Sequence, residues 1–230
     1  MYKGQKVSVV IPAYNEEKGI TSVVKDFKKK YVDEVIVVDN NCTDNTSALA
    51  RKAGAKVVKQ PKQGYGNAIM KGLEVAKGDL IFVTESDSTF YGDDMLILLK
   101  HINEGDIIVG TRTNLDYVEK GAKMDWFLNW GNRFIAMLVN IEFLGKVWLT
   151  DVGCTFRVIK RPALKKILNK LKAGGSTFSP HMLVVALDNG LKVKEYPVRY
   201  RSRIGESKIT SNKIKSFKVG LGMIKTIIFR

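Results

Sequence analysis

The stretch DLIFVTESDSTF, residues 79–90, frames the reading of this chain. Leu80 to Val83 form an apolar run, and two carboxylates follow it two positions apart, Glu85 and Asp87. Strand side chains alternate faces, so residues i and i+2 project to the same side and the two acids share one small volume. Like charges held that close repel unless something positive sits between them. An acidic, turn-forming strand end facing water shows the same letters, so the surrounding sequence has to decide.

Working outward, Val- and Ile-rich strands are expected at 7–12, 34–39, 55–60, 79–85 and 106–112, with helical patterns at 19–31, 44–53, 66–77 and 93–103 between them. Alternating strands and helices predict an α/β fold whose mostly parallel sheet is covered on both faces. Ligands of such sheets bind beyond the carboxyl ends of the strands. Those ends carry PAYNEE, DNNCTDNT, QGYG, ESDSTF and TRT in turn. Each alone is ordinary turn chemistry: Gly64 and Gly66 suit a turn, and Thr43 or Asp44 suits a helix cap. Together on one edge they predict a binding site.

The 230 residues, 45% of them hydrophobic, suffice for one substantial core, and no Pro/Gly/Ser-rich linker divides them. A net charge of +15 points to an anionic partner: nucleotide phosphates, nucleic acid or an anionic membrane. Residues 192–230 hold 11 Lys/Arg against 2 Glu, so much of the excess sits at one end. Cys42 and Cys154 lie far apart without metal-ligand spacing, which suggests reduced thiols and no zinc site. MYKGQK leads into the first strand without a signal-peptide pattern, and no apolar run has transmembrane length, so a soluble or peripheral protein is expected. A nucleic-acid-binding protein would explain the charge, but no interleaved aromatic and basic platform is visible. The first strand leads into PAYNEE in place of a GxGxxG loop, which disfavours a dinucleotide-binding oxidoreductase.

VSVVIPAYNEE, VIVVDNNCTDNT, QGYGNA, the acidic pair and GTR together resemble the family 2 glycosyltransferases with the GT-A fold. TDVGCTFRVIKR and YPVRYRSRIGESK are similar to segments of the polyprenyl-phosphate hexosyltransferases, dolichyl-phosphate mannose synthase among them. The resemblance implies a metal-dependent, inverting transfer of a hexose from a nucleotide diphosphate sugar to a polyprenyl phosphate at the cytoplasmic face of a membrane. It places Pro12, Tyr14, Glu16 and Asp39 against the nucleotide, and Glu85 and Asp87 at Mg²⁺ or Mn²⁺. Asp87 is the firmer direct ligand, because Glu85 stands where the family has Asp and has a longer arm. Arg112 matches an arginine near the phosphates, although a salt bridge would read the same. Either Lys123 or Arg133, the latter on an amphipathic pattern over 125–140, is the basic residue for the acceptor. Asp151 matches a carboxylate that orients the acceptor, or serves as base if the acceptor is a hydroxyl, although a structural Asp at a loop would read the same. Only His101 and His181 offer an imidazole, so a phosphate acceptor, already ionised, fits better than a hydroxyl.

Beyond Pro197, Arg199, Arg201 and Arg203 alternate with Val198, Tyr200 and Ser202 at strand period. The resemblance makes this a closing loop in which Arg203 and Lys208 clamp phosphates. A glycosyltransferase domain over 1–211 is then followed by a basic amphipathic helix over 212–230, with Ile214, Phe217, Leu221, Ile224 and Ile228 on one stripe. That stripe could pack on the domain core, but with its lysines it is expected to lie on a membrane surface.

Overall fold

The computed structural model describes residues 1–122, 124, 126–204 and 213–228, with side chains of the last helix from 218 to 227. The expected strands form as β1 (Val7–Ala13), β2 (Glu34–Asp39), β3 (Lys56–Lys59), β4 (Leu80–Val83) and β5 (Ile107–Thr111). The helices between them are α1 (Ile20–Phe27), α2 (Thr46–Lys52), α3 (Tyr65–Val75) and α4 (Met95–Lys100). Beyond β5 come α5 (Trp126–Glu142), β6 (Arg157–Lys160), α6 (Arg161–Ile167), α7 (Phe178–Asp188), β7 (Val193–Pro197) and α8 (Lys213–Ile228).

Among the described residues the strands make one seven-stranded sheet in the order β3-β2-β1-β4-β6-β5-β7. Only β6 runs antiparallel to its neighbours, β4 and β5, and the other pairs are parallel. Strand alternation divides the core. Val10, Ile36 and Val38 pack to one side with α3 and α7, while Val9, Ile11, Val35 and Val37 pack to the other with α1 and α4. The chain moves outward from β1 in both directions, to β2 on one side and β4 on the other. The carboxyl ends of β1 and β4 therefore meet at a topological switch point, where such sheets bind ligands.

Three elements differ from the sequence expectation or escape it. In α7, nine of the eleven residues are buried, so no polar face marks its period. The strand near the C-terminus is Val193–Pro197; residues 198–203 instead run beside 87–90, held by Arg201 N–H to Thr89 O at 3.0 Å and Ile204 N–H to Asp87 O at 2.9 Å. Finally, α8 packs on α7 and α5, with Ile227 buried and Met223 and Ile224 against the core. Of its described stripe only Leu221 stands out to solvent, so this helix is docked on the domain and does not project as an appendage. Among the described residues no helix is long and apolar enough to cross a membrane.

Candidate active site

Pro12 at the end of β1, Tyr14 and Glu16 beyond it, Glu85 and Asp87 beyond β4, Arg112 beyond β5, and Arg203 line one cleft of about 790 Å³. The sheet edge brings them together because parallel strands deliver their carboxyl ends to one side. The first loop is fastened to the second: Glu16 N–H donates to Thr46 Oγ1 at 2.8 Å, and Thr43 N–H donates to Asn15 Oδ1 at 2.8 Å. The N-cap position of α2 is Asn45, which makes no side-chain cap, and the first helical amide, Thr46 N–H, donates to Asp44 Oδ1 at 3.0 Å, so neither Thr43 nor Asp44 sits at the cap position.

Asp87 is buried, and its Oδ1 accepts the amide and hydroxyl of Thr89 at 3.0 and 2.7 Å. Its Oδ2 faces Arg203 at 3.5 Å, and the same guanidinium lies 3.6 Å from Glu16. Glu85 accepts the Thr155 hydroxyl at 2.9 Å, and that hydroxyl in turn meets Tyr65 Oη. Burial, reinforced by the charge of Asp87 and opposed by Arg112, pushes the Glu85 carboxyl up to about 7. The pair thus sits as a concentrated, under-compensated negative charge, and a hard divalent cation is the chemistry that relieves it. Among the described residues no cluster of three or more His, Cys, Asp or Glu could hold a metal. Two carboxylates with ligand oxygens and water completing the shell is how Mg²⁺ is commonly held, so the residues present fit such an ion. Arg203 Nε is buried without a hydrogen-bond partner among the described residues, an orphan donor suited to an anion.

Arg112 donates from Nε and an Nη to the two oxygens of Asp151 at 2.7 and 2.9 Å and lies 5.4 Å from the centre of the Tyr200 ring. Burial opposes its charge, but Asp151 more than restores it. Asp151 is fully buried and also takes the amide of Gly153 at 3.0 Å, so its oxygens are committed to Arg112 and the loop. Of the roles the sequence left open for Asp151, orienting the acceptor, serving as base for a hydroxyl or holding a loop, the geometry matches the structural one: it does not line the cleft and it positions Arg112. Glu195 on β7 supports it in turn, accepting the amides of Thr150 and Asp151 at 2.9 Å.

Two further sequence candidates lie off the cleft lining. Asp39 is buried and accepts Cys42 N–H at 2.8 Å and the Ser47 hydroxyl at 2.6 Å. Burial works against its charge, yet those bonds hold it below the usual carboxylate range. Its neighbour Asn40 lines the cleft instead and accepts Gly64 N–H at 2.8 Å, tying the QGYG turn to β2. Arg133 is exposed on α5, donates to Asn129 Oδ1 and Thr113 O at 2.9 Å each, and borders a second cavity. Of the two acceptor candidates, Arg133 is therefore turned away from the cleft, whereas Lys123, like Lys208, lies outside the described residues.

Several site residues escaped the sequence reading. QGYG drew attention for its glycines, and a Cβ at Gly66 would indeed overlap the Ala173 carbonyl oxygen, but Tyr65 between them is the residue that reaches the cleft. Thr155 and Arg157 belong to the CTFR motif. Arg157 is fully buried and donates to the carbonyls of Cys154 and Ser179, joining this loop to the start of α7. The outer wall of the cleft is apolar: Trp126, Phe127 and Trp130 of α5 face Leu221 and Ile224 of α8 across it. Neither His101, stacked on Tyr196, nor His181 lines it.

The model of the family Glycosyl transferase family 2 matches residues 8–168, well over half of the chain. An uncharacterized protein of Methanocaldococcus jannaschii is 29% identical over 231 residues, covering 97% of this chain and 93% of that protein. The low-salt glycan biosynthesis hexosyltransferase Agl6 of Haloferax volcanii is 29% identical over 211 residues, covering 89% of this chain but 50% of that protein. Glucosyl-3-phosphoglycerate synthase from Mycobacterium tuberculosis, solved with Mn²⁺, UDP-glucose and phosphoglyceric acid, shares the fold with a TM-score of 0.74 at 20% identity, covering 97% of this chain and 79% of that one. The switch-point cleft, its strand-end motifs and the family match agree: this chain is a glycosyltransferase and belongs to glycosyl transferase family 2.

Proposed function

We propose that the protein transfers a hexose from a nucleotide diphosphate sugar to a polyprenyl phosphate, with inversion, as a peripheral enzyme on the cytoplasmic face of a membrane. The observation that carries this reading is the two-part cleft. Its inner end gathers Glu85, Asp87, Arg112 and Arg203, and its outer wall is built from Trp126, Phe127, Trp130 and Leu221. A charged donor and an acceptor with a charged head and an apolar tail match those two halves. The bound Mn²⁺ and UDP-glucose of the mycobacterial synthase support the donor half.

In this reading Tyr14 and Glu16 border the nucleoside, and Arg203 spans from Glu16 to Asp87 where the diphosphate would pass. Asp87, with Glu85 beside it, would hold Mg²⁺ or Mn²⁺, which when bound neutralises charge developing on the leaving diphosphate. Arg112, fixed in orientation by Asp151, presents its remaining N–H groups to phosphate oxygens. An acceptor phosphate is ionised at neutral pH, so it attacks the anomeric carbon opposite the leaving group without a strong base. That matches a cleft with no imidazole among its described lining residues.

A hydroxyl acceptor is the second reading, favoured by the phosphoglyceric acid of the same mycobacterial complex. One assay separates them: incubation with Mg²⁺ or Mn²⁺, a panel of nucleotide sugars, and either a polyprenyl phosphate or phosphoglycerate, with the product identified by mass. A glycolipid supports the proposal. A glycosylated phosphoglycerate with no glycolipid overturns its acceptor half.

A further inference from the structure

A second cavity, of about 520 Å³, lies at the far end of α5 from the active-site cleft. Its lining joins three cations, Arg133, Lys146 and Lys194, to the apolar Ile141, Leu144 and Trp148, and includes no carboxylate. Lys146 and Lys194 form no salt bridge among the described residues, and Arg133 meets only a carbonyl and an amide oxygen. Glu195, an acid close to this wall, is turned onto the amides of Thr150 and Asp151. Glu104, outside the lining, feels the charge of Lys194 without forming an ion pair with it among the described residues, so positive charge outweighs negative beside exposed apolar surface, which matches an anionic amphiphile.

The surface around it points the same way. Trp126, Trp130, Phe134, Met137 and Ile141 recur every three or four residues, which is one stripe of a helix. That stripe faces outward: Trp126 is 76% exposed, Trp130 71% and Ile141 62%, and it continues into Leu144 at 83% and Trp148 at 79%. Soluble monomers rarely expose apolar surface so continuously, and tryptophans concentrate where a polar interface meets hydrocarbon. A second copy of the chain is a poor occupant, because two-fold self-pairing would set the same cations near their own copies.

We propose that the α5 stripe is the face that meets a lipid bilayer and that the second cavity seats the phosphate headgroup of an anionic phospholipid. Lys146 and Lys194 approach the headgroup, Arg133 backs it, and Trp148 with Ile141 and Leu144 enters the acyl boundary. This makes α5, rather than α8, the principal membrane element. The inference shares the bilayer with the function proposed above, but its test contains neither donor nor acceptor, so its failure leaves the transferase reading standing.

The test is flotation of the full chain with phosphatidylcholine vesicles and with vesicles that also contain phosphatidylglycerol. Binding should require the anionic lipid and weaken with added salt. At roughly 1 kcal/mol per basic residue near an anionic surface, Lys146→Glu/Lys194→Glu should lower partitioning by roughly 10- to 100-fold with an unchanged melting temperature. Lys146→Gln/Lys194→Gln should show a smaller loss, and Ile141→Ser/Trp148→Ser should reduce binding at every salt concentration. Equal binding of the charge-reversed and parent chains overturns the headgroup site. Displacement from vesicles by soluble glycerol phosphate would reveal a free-phosphate site and overturn the bilayer assignment. A parent chain that sediments as a dimer, made monomeric by Ile141→Ser, would assign the face to a second copy and likewise overturn it.

Discussion

At the scale of single residues, the question raised by Glu85 and Asp87 has a physical answer in their surroundings. Asp87 is buried and Glu85 half-buried at the mouth of β4, where Thr89, Thr155 and Arg203 offset only part of their repulsion. Asp87→Asn should retain one oxygen for Thr89 and relieve repulsion with Glu85, so thermal stability should hold or rise. Turnover should fall at least 100-fold, as should the parent's in excess chelator, and full activity in chelator would refute the metal role. Asp151 makes the opposite prediction. Removing it by Asp151→Ala leaves Arg112, 13% exposed at its side chain, as an uncompensated buried charge. Breaking such a pair costs about 3–5 kcal/mol, measurable by urea unfolding. A base acting on the acceptor would instead show an altered pH–rate profile with little loss of stability. The sequence pointed to both residues but could not separate these roles, because a carboxylate beside an arginine in space is not beside it in the chain: Arg112 and Asp151 are joined only when β5 and the loop before β6 come together.

At the scale of elements, β1 to β5 were legible because each is a continuous apolar run set off by polar turns, the mark of a strand buried on both faces. The segment after β7 alternates at strand period, and the resemblance made it a closing loop over the phosphates. Its arginines in fact divide: Arg199 pairs with Asp94 at 2.6 Å, Arg201 lies 4.0 Å from the Tyr91 ring centre, and Arg203 enters the cleft. Arg203→Ala should therefore lower turnover by the worth of a hydrogen bond to a charged group, about 1.5–3 kcal/mol, while leaving the urea midpoint nearly unchanged. Equal losses of activity and stability would make it structural. The stripe on α8 suited either core or membrane; of its described residues Ile224 packs against the core and Leu221 is exposed, while Ile227, off that stripe, is 1% exposed and docks the helix. Ile227→Ala should cost about 2–4 kcal/mol in urea unfolding, and a cost below 0.5 kcal/mol would show that α8 does not dock in solution.

At the scale of the molecule, stability should carry a pH signature from Glu195. Burial, opposed by hydrogen bonds from Thr150 and Asp151, pushes its carboxyl up to about 7. A carboxyl raised in the fold binds its proton more tightly there than in the unfolded chain, so this contribution is complete below about pH 4.5 and is lost as pH rises through about 7. Relative to Glu195→Gln, which cannot titrate, the parent should lose on the order of 3 kcal/mol between pH 5 and 8 in chemical denaturation. A constant difference across that range would contradict it. What the sequence determined by itself was the α/β alternation, the family and the charged inner part of the cleft with its first loop: Pro12, Tyr14, Glu16, Glu85, Asp87, Arg112 and Arg203. Those residues are legible because strand ends of a mostly parallel sheet converge on one edge whatever the loops between them do. Only the tertiary structure decided the antiparallel insertion of β6, the pairing of Asp151 with Arg112, the turn of Arg133 away from the cleft and the outward face of α5. Each depends on which surfaces remain after distant segments pack, and local periodicity reports an apolar stripe without saying what covers it.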